Sequence, residues 1–279
     1  MQTGGDRELG GKVALVTGVT RRSGIGAAIA REFARAGAGV FVTFFREYDR
    51  QQSWGVAAGE PESIIEELGA HGGGVELDLS EPQAAATLFD RALERFGHVD
   101  ILVNNAAHWE AGGIDTVGAG QLDRHYSVNI RAAVLLCAEF VRRRAPGRQG
   151  RIINITSGQG NGPMPGAVAY AVTKAGLDAL TLTLSAELAR GDVTVNAIDP
   201  GPTDTGWISN ELRARLVHAS PTGRIGTPQD VATVVRLLSE EAAAMITGRI
   251  LRIQAEGVVA SLAKCAAGEM GDKRVRGHG

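Results

Sequence analysis

The chain has 279 residues, 44% of them apolar, and 29 Lys and Arg stand against 31 Asp and Glu for a formal charge of −2. That is enough material for one large core, and the near-neutral balance excludes the broad positive field of a nucleic-acid binder. Only two cysteines, Cys137 and Cys265, are present, which excludes a disulfide framework and a four-cysteine zinc site. The 38 glycines against 9 prolines point to many tight turns rather than to a collagen-like or disordered chain. The opening MQTGGDRELGGK is polar, and no apolar run approaches the ~20 residues of a membrane span. The expectation is a cytoplasmic protein with neither a membrane nor a nucleic acid as partner.

Short β-branched runs alternate with stretches of helical period. The first strand is predicted at Val13 to Thr17, followed by a helix over Gly24 to Ala36 in which Ile25, Ile29 and Phe33 recur every fourth residue. Further strands are predicted at Gly39 to Phe45, Gly74 to Leu77, Val99 to Asn104, Arg151 to Thr156, Val193 to Ile198 and Arg249 to Ile253. Helices are predicted at about Glu60 to Leu68, Pro82 to Phe96, Gly120 to Arg144, Ala167 to Ala189 and Pro228 to Ser239. Such alternation predicts an α/β fold of the doubly wound Rossmann type, a seven-stranded parallel sheet with helices on both faces. No Pro, Gly and Ser-rich linker or fixed-period repeat divides it, so 1–279 reads as one domain with a core at about 12–257. Residues 47–59 form a long polar connection, 207–225 a segment without fixed period that suits a substrate lid, and 268–279 a solvated tail. Cys137 lies at a core position of its helix.

Directly after the first strand comes TGVTRRSGIG, from Thr17 to Gly26, and then the helix. Glycines at Gly18, Gly24 and Gly26 allow a sharp turn and close approach to a pyrophosphate, whose charge the helix start favours. Dinucleotide folds place an acid at the end of the second strand for a ribose hydroxyl; here the strand ends in Arg46, with no acid until Glu47. A guanidinium fork suits a 2′-phosphate, and Arg21 or Arg22 offers a second contact, so NADPH is expected ahead of NADH. Alternatively, Arg46 begins a solvated loop and the turn arginines point outward. Asp78 sits either where a carboxylate accepts from an adenine amino group or where it caps the next helix.

Tyr170 and Lys174 are four apart within AYAVTKAGLDALTLTLSAEL, so a helix sets them on one face. An ammonium near a phenol favours phenolate and is expected to lower the tyrosine pKa from ~10, which suits proton transfer. Ser157 precedes Tyr170 at the end of the fifth predicted strand.

With these residues in order the sequence resembles the short-chain dehydrogenase/reductase family from about Lys12 to Gly257. The landmarks are TG…GIG, LDL around Asp78, NNAA at Asn104 to Ala107, SVN at Ser127 to Asn129, ITS at Ile155 to Ser157, YAVTK at Tyr170 to Lys174 and DPGPTDT at Asp199 to Thr205. The resemblance implies that Tyr170 is the general acid for carbonyl reduction and that Ser157 polarises the substrate oxygen. It implies that Lys174 binds the nicotinamide ribose and that Asn129 kinks its helix and holds a water leading to Lys174. Cofactor contacts are implied for Gly18, Thr20, Arg21, Arg22, Gly24, Ile25, Gly26, Arg46, Asp78, Leu79, Asn104, Ala106, Pro200, Gly201 and Thr203. Three departures stand out: five residues rather than three separate Gly18 from Gly24, NNAG has become NNAA, and the usual DGG reads Ala255, Glu256, Gly257.

Within the family the sequence looks most like bacterial 3-oxoacyl-carrier-protein reductases. That implies reduction of a β-ketoacyl or related ketone, a small-molecule carbonyl substrate, and a homo-oligomer, dimer or tetramer. Met164, Trp207, Ile208, Leu212 and Leu216 suggest an apolar substrate pocket. Leu135, Leu180 and Leu184 serve an interface or the core, and His125 reads equally as a helix-surface residue. His108, beside the NNAA turn, is placed to touch a substrate. The histidine spacing suggests no metal. The alternatives are an NAD-dependent alcohol dehydrogenase of the same family and a cofactor-binding regulator without turnover.

Overall fold

A computed structural model describes residues 8–160 and 162–253. The described residues form a parallel seven-stranded sheet in the order β3-β2-β1-β4-β5-β6-β7. Its strands are β1 (Val13–Thr17), β2 (Gly39–Phe44), β3 (Gly72–Glu76), β4 (Ile101–Asn104), β5 (Gly150–Ile155), β6 (Val193–Asp199) and β7 (Ile250–Arg252). Every residue of β1, β4, β5 and β6 is buried, the signature of strands covered on both faces and the reason they read as mainly apolar runs, although Arg151, Asn154, Thr194 and Asn196 are buried polar residues among them. The chain leaves β1 for β2 on one side and returns to β4 on the other. That reversal opens a crevice beyond the carboxyl ends of β1 and β4.

On one face, α1 (Ile25–Arg35) packs against α9 (Pro228–Ser239), and Ile29, Phe33, Val231 and Val235 join Val16, Val40 and Val103 in one apolar cluster. On the other, α4 (Ala84–Phe96) and α6 (Ala133–Arg143) lay Leu88, Phe89, Leu136 and Phe140 on Leu15, Leu102, Ile152 and Val195. Cys137 lies in this second cluster, where burial pushes its thiol up to about 12. Leu135, Leu180 and Leu184 are partly buried against the same cluster. α9 begins at a reciprocal cap between Thr227 and Asp230 with Pro228 in its first turn, as its composition predicts.

Two connections differ from expectation. The polar stretch after β2 is partly helical, α2 (Arg46–Arg50), before α3 (Glu60–Glu67). The segment expected to lack periodicity contains α8 (Asn210–Ala219), started by Ser209, whose hydroxyl accepts from the Leu212 amide. Ile208 and Leu216 turn away from the crevice into a small cluster with Ile225, so these two are corrected from pocket to packing residues. The expected tail 268–279, Cys265 and the Ala255 to Gly257 departure lie outside the described residues. Among the described residues no helix is long and apolar enough to cross a membrane.

Candidate active site

A cavity of about 830 Å³ runs from the glycine turn to Tyr170. At one end β1 delivers the turn. Gly18 has φ +74°, and a side-chain carbon there would lie 2.8 Å from the Ala106 Cα; at Gly26 it would lie 2.5 Å from the Gly18 oxygen. Both positions are therefore closed to other residues. The turn is fastened to the loop after β4: the Thr17 hydroxyl accepts from the amides of Asn105 and Ala106, both at 3.0 Å, and Asn105 Nδ2 donates to the Thr17 and Gly18 carbonyls at 2.8 and 3.1 Å. Helix α1 starts at Gly24 with no side-chain cap and no acid in its first turn, which leaves its N-terminal amides to an anion.

Gly18, Thr20, Arg21, Gly24, Ile25, Asp78, Leu79, Ala106, Ser157, Tyr170, Lys174, Pro200, Gly201, Thr203, Met164 and Trp207 line the cavity. Gly26, Arg22, Arg46, Asn104 and Asn129 are not among its lining residues. Arg22 is paired with Glu67 and donates to Ser63. Arg46 is held by Glu62 and Glu76 and lies over the Phe44 ring. Two carboxylates thus occupy the guanidinium expected to face a 2′-phosphate, because the strand end curls into α2 and turns Arg46 toward β3 and α3. Asn104 is interior, donating to Asn154 at 2.8 Å, and its neighbour Asn105 is the one that lines the cavity. Asp78 lines the cavity while one oxygen accepts from the Ser80 amide at 2.8 Å; it does not cap α4. The Thr203 hydroxyl turns back onto the Pro200 carbonyl at 3.1 Å.

At the other end, α7 (Val168–Leu188) presents Tyr170 and Lys174 one turn apart, and Ser157 follows β5. Ser157 beside the phenol acts to lower its pKa, yet burial dominates and pushes Tyr170 up to about 12. The expected lowering by Lys174 does not prevail: its Nζ stands 5.7 Å from the Tyr170 ring centroid and donates to the Ile155 carbonyl at 2.7 Å. Lys174 is only 2% exposed, and burial pushes it down to about 8. The phenol is therefore neutral around neutral pH and holds a proton to give.

The α5 helix (Ala119–Tyr126) runs into a π-helical segment at Ser127–Ala132 before α6, a local widening common at functional sites. Asn129 sits in it. Its Oδ1 accepts from the His108 amide at 2.7 Å, and its Nδ2 donates to the His108 carbonyl and the Thr173 hydroxyl, both at 3.0 Å. Asn129 thus ties the loop after β4 to α7.

Several lining residues escaped the sequence reading. Tyr48 reaches from α2 to the loop after β4, where its oxygen accepts from the Trp109 amide at 3.0 Å. Trp109 meets the Tyr170 ring edge-on, with centroids 5.0 Å apart. Asp49 of α2 accepts at 3.2 Å from Arg21, which the sequence already marks, and Arg21 also donates to the Thr205 carbonyl at 2.9 Å. The one signal for this group was an isolated tryptophan, Trp54, in an otherwise polar insertion. His125 is fully buried rather than on the surface.

The chain matches the family described as Enoyl-(Acyl carrier protein) reductase over residues 18–258. It is 42% identical over 242 residues to the uncharacterized oxidoreductase YjdA of Bacillus subtilis, covering 86% of this chain and 94% of that protein. It is similar to the crystal structure of a 3-ketoacyl-(acyl-carrier-protein) reductase from Brucella melitensis complexed with NADH, with TM-score 0.78, 31% identity and coverage of 88% and 98% of the two chains. It is similar also to the landomycin C-6 ketoreductase LanV with bound NADP and rabelomycin, with TM-score 0.76, 32% identity and coverage of 90% and 98%.

Proposed function

The chain belongs to the short-chain dehydrogenase/reductase family of oxidoreductases, and from that premise we propose that it reduces a ketone to an alcohol, with Tyr170 as the acid. The observation that carries this reading is a neutral phenol, with Ser157 and Lys174 beside it, at the far end of a cavity that begins at a glycine turn. A nicotinamide cofactor bound there supplies the hydride. The amides that start α1 suit its pyrophosphate, Asp78 and Ala106 its adenosine half, and Lys174, Pro200 and Gly201 its nicotinamide half. Ser157 orients the substrate oxygen, and Tyr170 gives it a proton. A phenol held near 12 suits this direction, since oxidation would need the phenolate.

NADPH is the cofactor proposed, on the strength of Arg21 at the cavity wall and of Arg46 exchanging its carboxylates for a phosphate. NADH is the second reading, favoured by the pairing of Arg46 with Glu62 and Glu76 and by Glu47 at the cavity wall. A homo-oligomer is proposed from the apolar side chains that α5, α6 and α7 leave exposed, Leu122, Val134, Val141, Val172 and Leu182 among them. Residues 207–225 act as the lid in this reading, with Trp207 and Leu212 on its cavity side.

The test is oxidation of NADPH and NADH by the purified protein with β-ketoacyl thioesters, diketones and cyclic ketones. Turnover should fall at least about a hundredfold in Tyr170→Phe while cofactor still binds. Reduction by the variant at the wild-type rate removes Tyr170 as the acid, and tight cofactor binding with no turnover of any ketone favours the regulator.

A further inference from the structure

His108 lines the cavity next to Trp109, which touches Tyr170. Its backbone is gripped on both sides by Asn129, so its position is set by the same contact that ties the loop to α7. Its ring is oriented as firmly. Nε2 lies 2.6 Å from Glu110 Oε1, and Arg124 forks onto both oxygens of that carboxylate at 2.6 and 2.9 Å. Ionised Glu110 accepts only, so Nε2 carries the proton of this bond. The rings of Tyr48 and His125 flank the imidazole, with centroids 5.3 and 4.9 Å away. His125 is locked in turn: Nε2 accepts from the Glu110 amide at 3.2 Å, which leaves Nδ1 to donate to the Gln121 carbonyl at 2.9 Å.

Nδ1 of His108 remains. Among the described residues it has no hydrogen-bond partner, and the side chain keeps 14% of its surface open. The polar side chains next to it are engaged: the Tyr48 oxygen with Trp109, Glu110 with Arg124, and His125 with Gln121. The carboxylate of Glu110, itself held by Arg124, thus fixes one edge of the ring, and the opposite nitrogen is left for a ligand on a residue that lines the cavity next to Trp109. A site that fixes a polar group in this way recognises a polar partner and rejects an analogue without it.

We propose that His108 is a specificity residue that hydrogen-bonds a hydroxyl of the substrate, so that the preferred ketones carry a hydroxyl near the carbonyl. A hydroxyl both donates and accepts, and so pairs with Nδ1 whichever form the ring takes. Glu110 and Arg124 are positioning residues acting through the imidazole. The proposal rests on the reductase reading and deepens it.

The test compares two ketones of equal chain length, the β-hydroxy ketone hydroxybutanone and methyl propyl ketone, which has a methyl in place of the hydroxyl. The readout is the ratio of their kcat/KM values in the wild type, His108→Asn and His108→Gln. An asparagine amide occupies the place of Nδ1, and a glutamine amide the place of Nε2. Fluorescence titration with cofactor confirms that each variant is folded. The wild type should favour the hydroxy ketone by about tenfold or more. His108→Asn should keep that ratio within about threefold and His108→Gln should bring it to about one, a split that a merely structural role would not produce. Any other pattern overturns the proposal, as does a wild type that does not favour the hydroxy ketone or does not reduce it. Failure to reduce any ketone at all overturns the reductase reading instead.

Discussion

Arg21 of the glycine turn stacks on Trp54 of the connection after β2, its Cζ 5.0 Å from the ring centroid, and the two side chains share Asp49 Oδ1, at 3.2 Å from Arg21 Nε and 2.9 Å from Trp54 Nε1. Arg21 also reaches the Thr205 carbonyl, ahead of α8. Arg21 therefore joins three segments around the cavity: the glycine turn, the connection after β2 and the stretch ahead of α8. Asp49 is only 7% exposed, so the pair is shielded from solvent.

Asp49→Asn should loosen this junction. Its amide keeps the shape but loses the charge-assisted bond to Arg21, so Kd for the nicotinamide cofactor should rise about 3- to 30-fold, with kcat changed less. Quenching of tryptophan fluorescence on cofactor titration measures it, and an unchanged Kd would separate the junction from binding.

Gly26→Ala tests the close approach of turn and loop. The new carbon would lie 2.5 Å from the Gly18 oxygen and 2.7 Å from Asn105 Nδ2. Displacing both should cost about 2 to 4 kcal/mol of stability and at least about tenfold in cofactor affinity, read by denaturant unfolding and by titration.

Lys174→Met should abolish turnover yet stabilise the fold. Burial holds the folded-state pKa at about 8, whereas the unfolded lysine keeps its proton to ~10.4. Between these values the unfolded chain binds more protons, so this group makes stability rise with pH. The penalty is full below the folded pKa and gone above the unfolded one. The variant should therefore gain about 1 to 3 kcal/mol at neutral pH, and the gain should fade toward alkaline pH. Urea unfolding at two pH values checks the sign.

Arg46→Ala separates the two cofactors. If Arg46 leaves Glu62 and Glu76 for a 2′-phosphate, KM for NADPH should rise about tenfold while KM for NADH stays within about twofold. Equal, small effects on both would leave Arg46 as a surface cation and favour NADH.

The alternation of strand and helix is legible in one dimension, because strands covered on both faces are mainly apolar and helices repeat every three to four residues. Tyr170 and Lys174 are legible as neighbours, because four residues make one helical turn, and so is the glycine turn, because its glycines follow a predicted strand and open a predicted helix. Where the charges lie is set by packing between distant segments. Arg46 looked like a phosphate ligand until packing brought Glu62 and Glu76 to it. His125 read equally as a surface residue until the structure showed it buried beside the loop after β4, and Ile208 and Leu216 looked like pocket residues until α8 gave them a core of their own. Tyr48 gave no sign that it would reach Trp109. Periodicity is local and survives in one dimension, whereas an ion pair or a ring contact depends on which distant segment packing carries into reach.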